Sequence, residues 1–310
     1  MVRVAIAGGT GNVSAEIVHI LGQSGKHEVE VLTRSDTPRH AVEGVKFVQV
    51  DYGDRDDLRS KLTGVHTVLC FIGGIEMQKR IIDICVEAGV KRFAPNEWAT
   101  RSYSGSFSFQ DKDIVYEYLK EINREKKILE FCLFQPGLFM NYLSFPHPST
   151  VRHALYNSMF DVENRRALVP EKGDYRLTMT TIQDLGRVVD AALAYESAWP
   201  EVGGISGSSI ACSEIIRVAE SIRAGKFEII TIPQSTLEAG KLGVAWDAQL
   251  EQPSHLKIDQ DWESFTHSFI AEIIRGACDG AWLVSDDWNQ LLPHLELTTV
   301  EEFLTDIWKD

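Results

Sequence analysis

The chain has 310 residues, of which 44% are hydrophobic, and a formal net charge of -14. That is enough length and apolar content for one large or two moderate domains with a real core, and the acidity argues against non-specific binding to nucleic acid or anionic membrane. No apolar run approaches the roughly 20 residues of a membrane span.

The first residues already read as a strand, with no basic leader or cleavage pattern, so the expected compartment is cytoplasmic. Val2 to Ala7 is a short apolar run that enters the turn Gly8-Gly9-Thr10-Gly11. A helical pattern follows, with Val13, Ile17, Ile20 and Leu21 on one face. A strand, a glycine-rich turn and a helix in succession form a dinucleotide site: the glycines let the backbone approach a pyrophosphate, whose charge sits on the helix-start N–H groups. Gly8, Gly9, Thr10, Gly11, Asn12 and Val13 are therefore cofactor-binding candidates.

Strand signals recur at Glu28 to Thr33, Val45 to Val50 and Val65 to Ile72, with helical spacing at Arg55 to Leu62 and Glu76 to Ala88. Gly89 is a suitable C-terminal stop for the latter helix. Val90 to Ala94 begins a fifth strand and Glu130 to Phe134 a sixth, with a helix from about Asp111 to Arg124 between them. This alternation predicts an α/β fold with a doubly wound parallel sheet covered on both faces. Past Pro136 the pattern loosens. We expect a first domain over residues 1–155 and a smaller substrate lobe over 156–310, with elements near 180–210 returning to the first domain.

The second strand ends Leu32-Thr33-Arg34-Ser35, with Arg39 close behind. An arginine here favours the extra phosphate of NADP, which Arg34 can meet bidentately and Ser35 can support with a hydrogen bond. Asp36 opposes this with a nearby negative charge. Asp51, at the end of the third strand, is a candidate for the adenine side of the site, although a turn-forming aspartate before Gly53 is equally ordinary.

Lys112 supplies the candidate chemistry. Helical spacing aligns it with Val115, Leu119 and Ile122 on the buried face, close to the positive end of its helix. Desolvation and dipole both lower its pKa toward a range useful for proton donation; the ordinary alternative is a packed stem with its amine in water. No Gly-x-Ser-x-Gly motif is present. A Tyr-x-x-x-Lys pair would need tyrosine at position 108, which is Ser108. The five cysteines (Cys70, Cys85, Cys132, Cys212 and Cys278) read as small buried hydrophobes. The nine histidines suggest no metal site.

Ile6-Ala7-Gly8-Gly9-Thr10-Gly11-Asn12-Val13 resembles the opening of the isoflavone reductase-like and NmrA-like proteins, an atypical branch of the short-chain dehydrogenase/reductases. Val90-Lys91-Arg92-Phe93-Ala94-Pro95-Asn96-Glu97-Trp98 and the tail from Leu292 to Leu304 resemble two further segments of that family. The resemblance implies an NADPH-binding Rossmann-type domain with a small substrate lobe. It also implies reduction of aromatic or polyketide-like secondary metabolites at a C=C, C=O or quinone-methide carbon, by a monomer or homodimer. Other members bind NADP only as redox sensors, and a non-redox isomerase, cyclase or dehydratase on the scaffold is a further alternative. Lys112 aligns with the family's catalytic lysine. Phe71, Ile72, Gly73 and Gln78 match segments lining the cofactor, and Asn96, Pro136, Gly137 and Leu138 match positions flanking the nicotinamide. Phe139, Tyr142 and Phe160 are candidates for the substrate wall. The departures are Ser14 in place of a third glycine, Asn96-Glu97-Trp98 in place of Ser-Glu-Phe (a bulkier nicotinamide pocket), and a serine- and aromatic-rich stretch from Trp98 to Lys112.

Overall fold

The computed structural model describes residues 1–35, 41–105, 110–252 and 261–309. The chain opens with β1 (Arg3–Ala7), α1 (Asn12–Ser24), β2 (Glu28–Thr33), β3 (Val45–Gln49) and α2 (Arg55–Leu62). It continues through β4 (Thr67–Cys70), α3 (Ile75–Ala88), β5 (Arg92–Ala94), α4 (Gln110–Ile122) and β6 (Glu130–Phe131). The strands form one six-stranded parallel sheet in the order β3-β2-β1-β4-β5-β6. Buried Val4, Ile6, Val29, Val31 and Leu69 share a cluster with Ile17, Val18 and Leu21 of α1. Ala5, Leu32, Val68 and Phe93 pack with α2, α3 and α4 on the other side. Helices on both faces explain why the central strands β1 and β4 are buried at consecutive positions rather than at alternate ones.

Local chemistry sets the helix boundaries. The Asp54 carboxylate accepts the N–H groups of Asp56 and Asp57 at the start of α2. Gly25 and Gly89 end α1 and α3 in the left-handed conformation, with φ of 59° and 75°.

The expected sixth strand, 130–134, is interrupted. Cys132 still donates its N–H to Phe93 O at 3.1 Å, but Leu133 donates to Glu201 O at 2.9 Å. The chain has changed partners, and β7 (Leu133–Gln135) pairs in parallel with a strand from much later in the sequence. Two-residue β8 (Leu138–Phe139) follows, then β9 (Phe160–Asp161), β10 (Arg166–Pro170), β11 (Arg176–Thr180) and α5 (Ile182–Ala194). The partner of β7 is β12 (Val202–Gly204); after it come β13 (Ser208–Ala211), α6 (Cys212–Ile222), β14 (Glu228–Ile232) and α7 (Gln234–Glu238). The chain closes with α8 (Trp262–Cys278), α9 (Asp287–Leu291) and α10 (Val300–Trp308).

Helix α5 lies against α1, where the hydrogen side of Gly186 faces Ile20. A second core, built from β9–β11, α6, α8 and α10, includes Leu168, Leu177, Ile215, Ile270, Ile274 and Phe303. No helix among the described residues is long and apolar enough to cross a membrane.

Candidate active site

Strand order turns between β1 and β4, and the loops at the carboxyl ends of β1, β2, β4 and β5 share that edge of the sheet, where open α/β sheets form their ligand crevice. Gly8 leaves β1 with φ 78°; a Cβ there would lie 3.0 Å from Ile72 Cγ1 and 3.1 Å from the Phe71 main-chain carbon. The missing side chain therefore lets the first turn press against the exit of β4. A Cβ on Gly9 would stand 2.8 Å from Val31 Cγ1.

Gly11 begins α1 with no side-chain cap, and Thr10, Gly11 and Asn12 are exposed. Among the described residues no N-cap side chain occupies the helix-start N–H groups, which suits an anionic diphosphate. Ser14, in the third-glycine position, is buried and donates its hydroxyl to Gly8 O at 2.8 Å or Gly11 O at 3.1 Å. Its side chain ties the helix to the turn.

Arg34 and Ser35 follow β2 as exposed residues. Arg39 and Asp36 lie outside the described residues. Asp51 uses Oδ1 to accept the Gly53 N–H at 2.8 Å, so it forms the turn. Beside it, the buried Tyr52 hydroxyl donates to Leu32 O at 3.1 Å, and burial pushes that phenol well above its ordinary pKa. Phe71 and Ile72 are half-buried and Gly73 is exposed. Gln78, buried on α3, accepts the Asn96 N–H at 2.9 Å and joins α3 to the exit of β5.

Trp98 does not enlarge a pocket. Its ring is 5% exposed and stacked between Phe71 at 4.4 Å and Phe134 at 5.4 Å, and its indole N–H donates to Cys70 O at 2.9 Å. The extra bulk relative to phenylalanine is core.

Lys112, in the first turn of α4, is half-buried and donates from Nζ to the Glu97 main-chain oxygen. Burial lowers its pKa, against the raising effect of Glu97 and Asp113. The Glu97 side chain is itself buried, and desolvation raises its carboxyl to about 7, although Lys112 and the Gln135 amide pull the other way. Gln135 Nε2 lies 3.2 Å from Glu97 Oε1 and 2.8 Å from Ser102 Oγ. Ser108 is outside the described residues.

Pro136, Gly137 and Leu138 are buried just beyond this group. Gly137 has φ 70° and donates its N–H to Ala99 O at 3.0 Å; a side chain there would collide with the Thr178 carbonyl oxygen.

Phe139 is 7% exposed and meets the His153 ring edge-on at 5.3 Å. The Tyr142 hydroxyl and His153 Nε2 share a 2.9 Å hydrogen bond. Burial lowers the His153 pKa to about 4 despite the nearby Glu16 carboxylate, leaving the imidazole neutral at pH 7. Glu16, buried on α1, accepts the main-chain N–H groups of Arg152 and His153. Phe160 is 2% exposed and packs in the second core, so it serves that core rather than an open wall.

Glu97, Gln135 and His153 carry no isolated sequence signal for these placements. The one available hint was a carboxylate set between Pro95 and Trp98 in an apolar stretch.

The sequence profile of the NmrA-like family matches residues 2–304. Oxidoreductase BOA1 of Botryotinia fuckeliana is 31% identical over 237 residues, covering 73% of this chain and 78% of its own. Among solved structures, the AtPrR2 complex with NADP+ and (+)-pinoresinol superimposes with a TM-score of 0.70 at 17% identity, over 99% of this chain and 98% of that one. The NADPH complex of the quinone oxidoreductase QOR2 from Escherichia coli gives 0.69 at 16% identity, over 99% and 100%.

Proposed function

The chain belongs to the NmrA-like family, and on that premise we propose that it is an NADPH-dependent reductase of aromatic or polyketide-like small molecules. The curated oxidoreductase relative supports the reaction class. The observation that carries the finer reading is Lys112: a half-buried amine of lowered pKa fastened to the β5 exit, on the sheet edge that also carries the glycine turn.

Gly8 to Val13 would hold the diphosphate, Arg34 and Ser35 the 2′-phosphate, Phe71–Gly73 and Gln78 would line the cofactor, and Asn96 and Pro136–Leu138 would flank the nicotinamide. NADPH, when bound, supplies a hydride to an electron-poor carbon. Lys112 donates a proton to the substrate oxygen on which negative charge accumulates, keeping its nitrogen lone pair as a neutral amine. A positioned general acid of this kind contributes roughly 10²–10⁴ in rate. Its lowered pKa makes the ammonium a stronger acid than an exposed lysine. Phe139 and Tyr142 would form an apolar wall, with the Tyr142 hydroxyl held by neutral His153.

The test is titration with NADPH and NADP+, followed by a screen of conjugated aromatic enones, lactones and quinones for loss of absorbance at about 340 nm, the reduced nicotinamide band. Tight NADPH binding with turnover is the expected result. Binding without any turnover would favour a sensor, and product formation without NADPH consumption a non-redox enzyme.

A further inference from the structure

Glu97 reaches the proposed proton donor by its main chain and buries its own carboxyl against Gln135. Its carbonyl oxygen accepts from Lys112 Nζ, and its carboxyl, 3% exposed, accepts from the Gln135 amide at 3.2 Å. The next residue, Trp98, has φ 39°, in the left-handed region that a large side chain rarely adopts. That angle orients the peptide plane between residues 97 and 98, and with it the Glu97 carbonyl. The Trp98 ring is clamped between Phe71 and Phe134 and its indole is tied to Cys70 O, which holds the unusual backbone in place.

Among the described residues, the charged groups bearing on Glu97 are Lys112 and Asp113, both on α4; Gln135 from β7 and Ser102 are neutral. Among the described residues, Glu97 and Asp113 both favour the charged form of Lys112.

We infer that Glu97 is a positioning residue for Lys112: its carbonyl aims the amine, and its buried carboxyl sets how firmly the amine holds its proton. This rests on the reading of Lys112 as proton donor, and extends it to a coupled pair whose two members titrate as a unit. The buried carboxyl, raised to about 7 by desolvation, becomes anionic above that pH and opposes the lowering that burial imposes on the amine.

The coupling is measurable without substrate. Lysines of the full chain are reductively dimethylated with ¹³C-formaldehyde, the Lys112 resonance is assigned by its loss in Lys112→Arg, and its titration is followed by NMR in wild type and Glu97→Gln. The Lys112 midpoint is expected below those of the exposed lysines, and lower again by about one pH unit in Glu97→Gln, the size of shift an opposite charge imposes at close range. A second arm uses ¹³Cδ-glutamate labelling, where the Glu97 midpoint should rise by about one unit in Lys112→Met; this arm decides alone if Glu97→Gln does not fold. A carboxyl with a purely structural role moves neither midpoint, and that result overturns the inference. Loss of turnover in Lys112→Met is read separately, so failure of the coupling and failure of the donor assignment are distinct.

Discussion

Lys112 Nζ is hydrogen-bonded to the main-chain carbonyl of Glu97, which fastens an amine from the first turn of α4 to the exit of β5. Both partners carry a cost of burial: the amine is pushed toward its neutral form and the carboxyl toward its protonated form. Titratable groups displaced in this way, at the carboxyl edge of a parallel sheet, are the pattern expected of a proton-transfer site.

The Glu97 carboxyl gives stability a definite pH dependence. Its folded pKa of about 7 lies above the unfolded value near 4.3, so its contribution is fully present below about 4.3 and is lost as pH rises through 7. The loss is on the order of 3 kcal/mol. Glu97→Gln removes the charge, so its thermal midpoint at pH 8.5 should exceed that of wild type by several degrees, with the gap closing below about pH 5. Melting curves across this range check the sign.

His153 acts in the opposite direction. Its folded pKa, about 4, lies below the unfolded value near 6.5, so stability is present above about 6.5 and is lost as pH falls toward 4. His153→Phe should flatten the acidic side of the melting profile, which circular dichroism at pH 4.5 and 7 would register.

Gly8→Ala places a methyl group 3.0 Å from Ile72 Cγ1 at a φ of 78°. The strain is about 1–2 kcal/mol, and the turn must move away from the diphosphate path. NADPH affinity should fall at least tenfold by fluorescence titration, with the far-ultraviolet circular dichroism spectrum retained.

Arg34→Glu tests cofactor choice. A charge-assisted contact to the 2′-phosphate is worth about 1.5–3 kcal/mol, so the preference for NADPH over NADH should drop about 10- to 100-fold. The ratio of the two dissociation constants is the readout, and an unchanged ratio removes Arg34 from the phosphate site.

Much of the first half of the molecule is legible because its signals are local. Glu28–Thr33 and Arg55–Leu62 begin and end where apolar runs and helical spacing place them, and Gly89 stops α3 in a conformation that glycine adopts easily. The interruption after Phe131 is not legible, since it depends on β12, whose Val202 is paired with Leu133 across the sheet. Trp98 reads as a pocket residue until the Phe71 and Phe134 rings on either side of it are seen. The same holds for Glu97: its burial and its partners Lys112 and Gln135 come from three separate elements, and only tertiary packing joins them.

Steady-state kinetics of Lys112→Met, with an enone or quinone found to be turned over by the wild type, addresses proton donation most directly. The expected result is a kcat reduced by roughly 10²–10⁴ with the NADPH dissociation constant within about twofold of wild type. A kcat within about threefold of wild type contradicts a proton-donating role for Lys112.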